Sequence, residues 1–186
     1  CVYVGTHIES PGVIFQKGGN CKIYLGPDPA RRGFCPEVLL SVLREAGIDT
    51  EWQENVQPAV WSKFMFIAAY GLVTACYGKT LGEILESSTL SSETRSIMYE
   101  IESIAHKLEI GLENDIVEKT FLKAFEFPYE AKTSFQRDFE TKGKRHEGDL
   151  FGGTIIRYGN QLDIPVPVTI KLYDTLTGSP HPDRVG

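Results

Sequence analysis

The sequence predicts an α+β chain in which the closing strands and one helix of an α/β domain are followed by an all-helical domain. Three observations carry that expectation. Short β-branched or aromatic runs, CVYVGTHI, GVIFQK and CKIYLG, are separated by the turn signals SPG and KGGN. The segment PEVLLSVLREAG has apolar residues at 38, 39, 42 and 43 and a terminal glycine, the pattern of an amphipathic helix, before IDTEWQ returns to strand. From Val56 onward the apolar spacing turns to that of helices.

Taken in order, CVYVGTHI opens at full β propensity with no methionine, cap or turn before it, as though entered in mid-strand. A piece of a longer protein is therefore expected. GVIFQK and CKIYLG are expected to pair as a hairpin across KGGN. Helices are expected near 58–76, 82–109, 113–126, 129–142, 147–161 and 167–176, with Gly111, Pro128, Gly143 and Pro165 as breaks. These elements divide the chain into a remnant of an α/β domain at 1–54, a helical domain at 55–178 and a mobile tail at 179–186.

Composition excludes several classes. With 186 residues, 41% hydrophobic and 24% charged, the chain can bury a respectable core. Its formal net charge of −6 gives no basic footprint for nucleic acid, apart from KGKR at 142–145. Cys1, Cys21, Cys35 and Cys76 show no CxxC spacing, so reduced thiols in a cytoplasmic protein are expected, with no metal. The longest apolar stretch, FMFIAAYGLV, has the length of a core helix, and no membrane partner is expected.

The richest segment is NVQPAVWSKFMFIAAYGLVTACYGKTLGEIL, whose long apolar body is interrupted by one cation, Lys63. By helical steps Lys63, Ile67, Tyr70, Gly71 and Thr74 share a face. The lysine either snorkels past its aromatic neighbours into water or is buried with a depressed pKa or a carboxylate partner, a state suited to donating a proton. A second constellation is TSFQRDFETKGKRHEGDLFGGTIIRYGNQLDIPVP. Thr133 and Ser134, placed inside the helix expected at 129–142, either bond back to earlier carbonyls or hold a carboxylate. Glu147 and Asp149 either offset a helix dipole or contact ribose hydroxyls or the lysine. Gly152 and Gly153 call for close backbone approach, by a crossing helix or by a cofactor. His7, at the expected end of the first strand, is either structural or presented to a ligand.

Together these segments resemble a known family. Trp61-x-Lys63, then VTACYGKTLGEI, TSFQRD, EGD with a pair of small residues, TIIRYGNQLDIPVP and a closing KLY resemble, in order and spacing, the C-terminal domain of ketopantoate reductases. YVGTHIESPGVIFQKGGNCKIYLG is similar to the last strands of that family's Rossmann domain. The resemblance covers residues 2–176. It implies a Rossmann-like remnant followed by a helical domain like the C-terminal domain of 6-phosphogluconate dehydrogenase. It also implies NADPH-dependent reduction of 2-dehydropantoate, in which Lys63 protonates the carbonyl oxygen as hydride reaches the keto carbon. Ser134 matches a substrate-binding serine, with Phe135, Gln136 and Arg137 beside it. Glu147 matches a glutamate that contacts the cofactor, and Ile8 falls where strand-end backbone meets it.

The chain also departs from that pattern. The family's asparagines four, eight and eighteen residues past the lysine fall on Ile67, Gly71 and Leu81, none of which makes a side-chain hydrogen bond. A larger or more apolar 2-keto acid is therefore the alternative substrate, with Tyr70 and Thr74 as replacement hydroxyls. A non-catalytic helical binding or oligomerisation module is the reading from a different class. Strand edges at 1–54 point to a homodimer.

Overall fold

The structure, a computed structural model, describes residues 1–3, 6–16, 22–27, 36–141 and 148–178, with Tyr3, Thr6 and His7 described by backbone alone. The expected tail at 179–186 and the basic run at 142–145 lie outside the described residues, as do Cys21 and Cys35. The chain forms two compact units, Cys1–Val60 and Trp61–Gly186.

In the first unit, β1 (Val2–Tyr3), β4 (Lys22–Leu25) and β5 (Asp49–Trp52) form a sheet in the order β1-β4-β5. β1 runs antiparallel to β4 and β5 parallel to it, with α1 (Glu37–Glu45) as the crossover that a parallel pair requires. Leu40 of α1 and Thr50 of β5 are buried. Gly47, at φ +76°, ends α1 as expected: its amide donates to Arg44 O while that of Ile48 reaches Leu43 O, the paired bonds of a Schellman turn.

The expected hairpin is corrected. CVYVGTHI divides into β1 and β2 (Thr6–Ser10), and β2 pairs with β3 (Val13–Gln16), so GVIFQK does not pair with CKIYLG. The reason lies in SPG: Pro11 presets one turn residue and Gly12 adopts φ +83°, which joins Ser10 to Val13 in a two-residue loop. The strand after KGGN, β4, is left to β1 and β5.

The helical unit is built on α2 (Gln57–Tyr77), which buries Met65, Ala68, Ala69, Tyr70, Leu72 and Val73 completely. Its length and apolarity would let it cross a bilayer, so the apolar run is longer than the sequence reading allowed. Half of its most apolar stretch is buried in the molecule, which accounts for that composition. Around it pack α3 (Leu81–Glu86), α4 (Ser88–Lys107), α5 (Ile116–Leu122) with a 3-10 turn at Lys123–Glu126, and α6 (Ser134–Glu140). A π-turn at Asp149–Gly153 leads into α7 (Thr154–Leu162), and α8 (Pro167–Thr177) follows.

Beyond the 3-10 turn that ends the run at 113–126 and the π-turn that opens the run at 147–161, two helices differ from expectation. The run at 82–109 breaks at Ser87, whose extended backbone ends α3 and whose hydroxyl accepts from Leu90 N to start α4. The run at 129–142 becomes helical only at Ser134. Before it the backbone is committed elsewhere: Tyr129 O and Ala131 O accept from Gly82 N at 3.0 Å and Leu81 N at 2.9 Å. Gly82 permits that approach, since a Cβ there would stand 2.2 Å from Tyr129 Cδ2. At the other end of the bundle, α8 has no side-chain cap of its own. Glu100 of α4 supplies one, accepting from Val168 N at 2.7 Å, Thr169 N at 3.0 Å and Thr169 Oγ1 at 2.5 Å.

Candidate functional site

Lys63 lies in the second turn of α2, between Trp61 and Phe64 in sequence, and is half-buried. Aromatic rings surround this part of the helix: Trp61 packs on Tyr158 at 5.8 Å between centroids, Phe64 on Phe151 at 6.5 Å, and Phe151 edge-on to Phe135 at 5.6 Å. Loss of water among such groups disfavours the ammonium, and burial holds the Lys63 amine below the ordinary lysine range. An amine so placed polarises a carbonyl while charged and gives up its proton more readily than a solvated lysine.

The TSFQRD segment supplies a second polar edge. Thr133 is the N-cap of α6 rather than an interior helical residue, because the turn before it, held by Leu81 N and Gly82 N, delays the helix; its hydroxyl accepts from Gln136 N at 3.1 Å. Ser134 follows at the first helical position and is exposed, with a hydroxyl able to donate to a carboxylate. The next three residues do other work. Phe135, 1% exposed, packs over Gly71, where a Cβ would lie 3.3 Å from its Cδ1. Gln136 is wholly buried and donates through Nε2 to Glu140 Oε1 at 3.1 Å, while its Oε1 has no partner. Arg137 is exposed but turns back to donate to Lys132 O at 2.7 Å.

The proposed replacement hydroxyls are likewise corrected. Tyr70 is fully buried and donates to Phe121 O at 2.8 Å, and burial pushes its phenol up. Thr74 is fully buried and bonds to Gly71 O at 3.2 Å and Thr133 Oγ1 at 2.8 Å. Counting helical steps placed both on the lysine's face, but that face passes from surface to core within two turns. Neither hydroxyl has surface to offer a ligand. Of the three asparagine positions, Ile67 is half-buried, whereas Gly71 lies under Phe135 and Leu81 is 3% exposed.

Ile8 sits within β2 opposite Ile14, not at a strand end, and its side chain is 76% exposed. The backbone of His7 is in register with Phe15 in the same ladder, where the first run continues past the position taken for its end. Glu147 lies outside the described residues. Asp149 opens the π-turn and accepts from Arg157 Nη1 at 3.0 Å. The two glycines after it serve packing: a Cβ on Gly152 would stand 2.5 Å from Tyr173 Cδ2, and one on Gly153 2.3 Å from Asp149 Oδ1. Among the described residues no cluster of histidine, cysteine, aspartate or glutamate could hold a metal ion.

Sequence reasoning missed Glu100 and the link from Thr74 to Thr133. Glu100 had a signal: it falls on the apolar face that Ile97, Ile101 and Ile104 define, where an unpaired carboxylate would be costly. The threonine link joins segments 59 positions apart and had none.

Comparison with known proteins adds the family. Residues 55–179 match the family described as "Ketopantoate reductase PanE/ApbA C terminal". A 2-dehydropantoate 2-reductase of Archaeoglobus fulgidus is 26% identical over 174 residues, covering 94% of this chain and 58% of that protein. An oxidoreductase of Bacillus subtilis, YkpB, is 27% identical over 122 residues, covering 66% of this chain and 40% of its own length. The crystal structure of a PanE/ApbA family ketopantoate reductase from Ralstonia eutropha superposes with a TM-score of 0.83 at 26% identity, covering 95% of this chain and 57% of that one. The chain thus spans between 40% and 58% of the length of these relatives. With the helical arrangement around Lys63 and the TSFQRD turn in place, the match over 55–179 shows that this chain belongs to the ketopantoate reductase family, of which it carries the C-terminal domain.

Proposed function

We propose that the protein containing this chain reduces a 2-keto acid with a nicotinamide cofactor, NADPH, as in 2-dehydropantoate 2-reductase, and that Lys63 protonates the nascent alkoxide. The observation that carries this reading is one half-buried lysine on an apolar helix, its pKa lowered by burial. A cation there polarises the keto group, and its proton neutralises the oxygen as charge develops. Ser134, exposed at the head of α6, donates its hydroxyl to the substrate carboxylate.

When bound, the nicotinamide supplies hydride to the keto carbon. Ile8 lies mid-strand and Glu147 is outside the described residues, so neither carries a step here. The chemistry that belongs to this chain is holding the keto acid and moving one proton from Lys63 Nζ. Steady-state reduction by the whole protein, measured with Lys63→Ala, tests the reading: turnover falls by about 100-fold or more if Lys63 is the acid. Unchanged turnover would remove Lys63 from the mechanism, and no turnover of any 2-keto acid with either nicotinamide would favour the non-catalytic module.

A second reading concerns the substrate and rests on Ile67. Phe135 covers Gly71, so position 71 offers a ligand nothing, and Ile67, one helical turn from Lys63, is half-buried and apolar. That position favours a 2-keto acid whose side chain carries no hydroxyl.

A further inference from the structure

The hydroxyls of Thr74 and Thr133 form the middle of a hydrogen-bond chain, directed by the single hydrogen that Thr74 gives to Gly71 O. Gln136 N donates to Thr133 Oγ1 at 3.1 Å, so the Thr133 hydrogen is free to point to Thr74 Oγ1 at 2.8 Å. Thr74 in turn directs its hydrogen to Gly71 O at 3.2 Å. Each hydroxyl accepts once and donates once, and the chain runs without a gap from the first turn of α6 to the backbone of α2. One helical turn away, Phe135 packs on Gly71, where a Cβ would stand 3.3 Å from its Cδ1. Ser134 lies between the capping threonine and that phenylalanine, so both of its neighbours in sequence are fastened to α2.

We propose that Thr74 is a positioning residue, holding Ser134 at a fixed place relative to Lys63 through the Thr133 hydroxyl. The helix that carries Thr74 also carries Lys63, eleven residues earlier, or about 16 Å along the axis. A rigid helix tied at its far end to α6 becomes a gauge for the spacing between the proton donor and the serine. Burial supports the assignment: Thr74 is 0% exposed, so its end of the bond to Thr133 is closed to water. The inference rests on the reading of Ser134 as a substrate-binding group.

The test is steady-state kinetics of the whole protein with its best 2-keto acid, using Thr74→Val, Thr74→Ser, Ser134→Ala and the Thr74→Val/Ser134→Ala double variant. Thr74→Val keeps the shape and removes the hydroxyl. It is expected to raise KM for the keto acid about tenfold while KM for the nicotinamide stays within about twofold, and Thr74→Ser restores the wild-type value. In the Ser134→Ala background the valine adds little, because the group it positions is gone. Should Thr74→Val not fold, Thr74→Cys, a weaker donor of similar size, is expected to give an intermediate KM. A lower Tm with both KM values unchanged overturns the proposal, as does a full tenfold effect in the Ser134→Ala background. If Ser134→Ala itself leaves KM for the keto acid unchanged, the substrate-binding role of Ser134 fails and this inference fails with it.

Discussion

Tyr173 of α8 lies across Gly152 so closely that the ring of one fills the place of a side chain on the other, with 2.5 Å between Tyr173 Cδ2 and a Cβ built on the glycine. Gly152→Ala forces the two helical segments apart or drives the tyrosine off its rotamer. A loss of about 1–3 kcal/mol is expected, read as a shift of the urea midpoint with unchanged slope. Adding Tyr173→Ala to Gly152→Ala relieves the clash, so the two changes combine to less than their sum.

Glu100 is the group whose removal is expected to cost stability without touching the site. In Glu100→Ala the amides of Val168 and Thr169 lose their acceptor in a buried setting, a cost of about 2–3 kcal/mol by chemical denaturation. The pH dependence has a definite sign. Burial raises the carboxyl pKa above its ordinary 4.5, against the opposing hydrogen bonds from Thr169 and Val168. Its linked contribution is therefore fully present below 4.5 and is lost as pH rises through the raised folded value. Relative to Glu100→Gln, the wild-type protein should lose stability as pH rises through that window. A difference that grows with pH instead would mean that the hydrogen bonds outweigh desolvation.

For Lys63 the expected signature is in activity. Because burial lowers its pKa, the alkaline limb of kcat/KM should fall below the 10.5 of an ordinary lysine. Lys63→Arg keeps a cation that does not titrate there, so any residual activity should lack that limb. An alkaline limb unchanged in Lys63→Arg would assign it to another group.

The half-buried, apolar Ile67 predicts a preference between two substrates that differ by one hydroxyl. 3,3-Dimethyl-2-oxobutanoate should be reduced with a higher kcat/KM than its 4-hydroxy derivative, by a ratio of about 10 to 100. A ratio favouring the hydroxylated compound would show that other residues supply the missing hydrogen bonds.

The strand and helix types were legible because periodicity is local, as in PEVLLSVLREAG and its glycine stop. Pairing was less so: the SPG turn carried the hairpin signal, yet KGGN offered a competing one, and only the observed register separates them. Lys63 stood out as a lone cation in an apolar run, whereas Tyr70 and Thr74 were misplaced because spacing along α2 gives a direction but not what lies there. Phe121 and Thr133, far along the chain, claim those two hydroxyls. The late start of α6 was hidden for the same reason, since Leu81 and Gly82 hold the preceding backbone from another part of the sequence.

The carboxylate that caps α8 lies 68 and 69 positions before the amides it serves. On a ribosome adding about 5–20 residues per second, several seconds separate the arrival of Glu100 from that of Val168. Until then α4 must keep a charge in water on the face it will later bury, so this part of the bundle closes only when α8 docks. A chain interrupted before Pro167 would lose α8 and also leave α4 with an ionised group on its core side, a state open to proteases and chaperones.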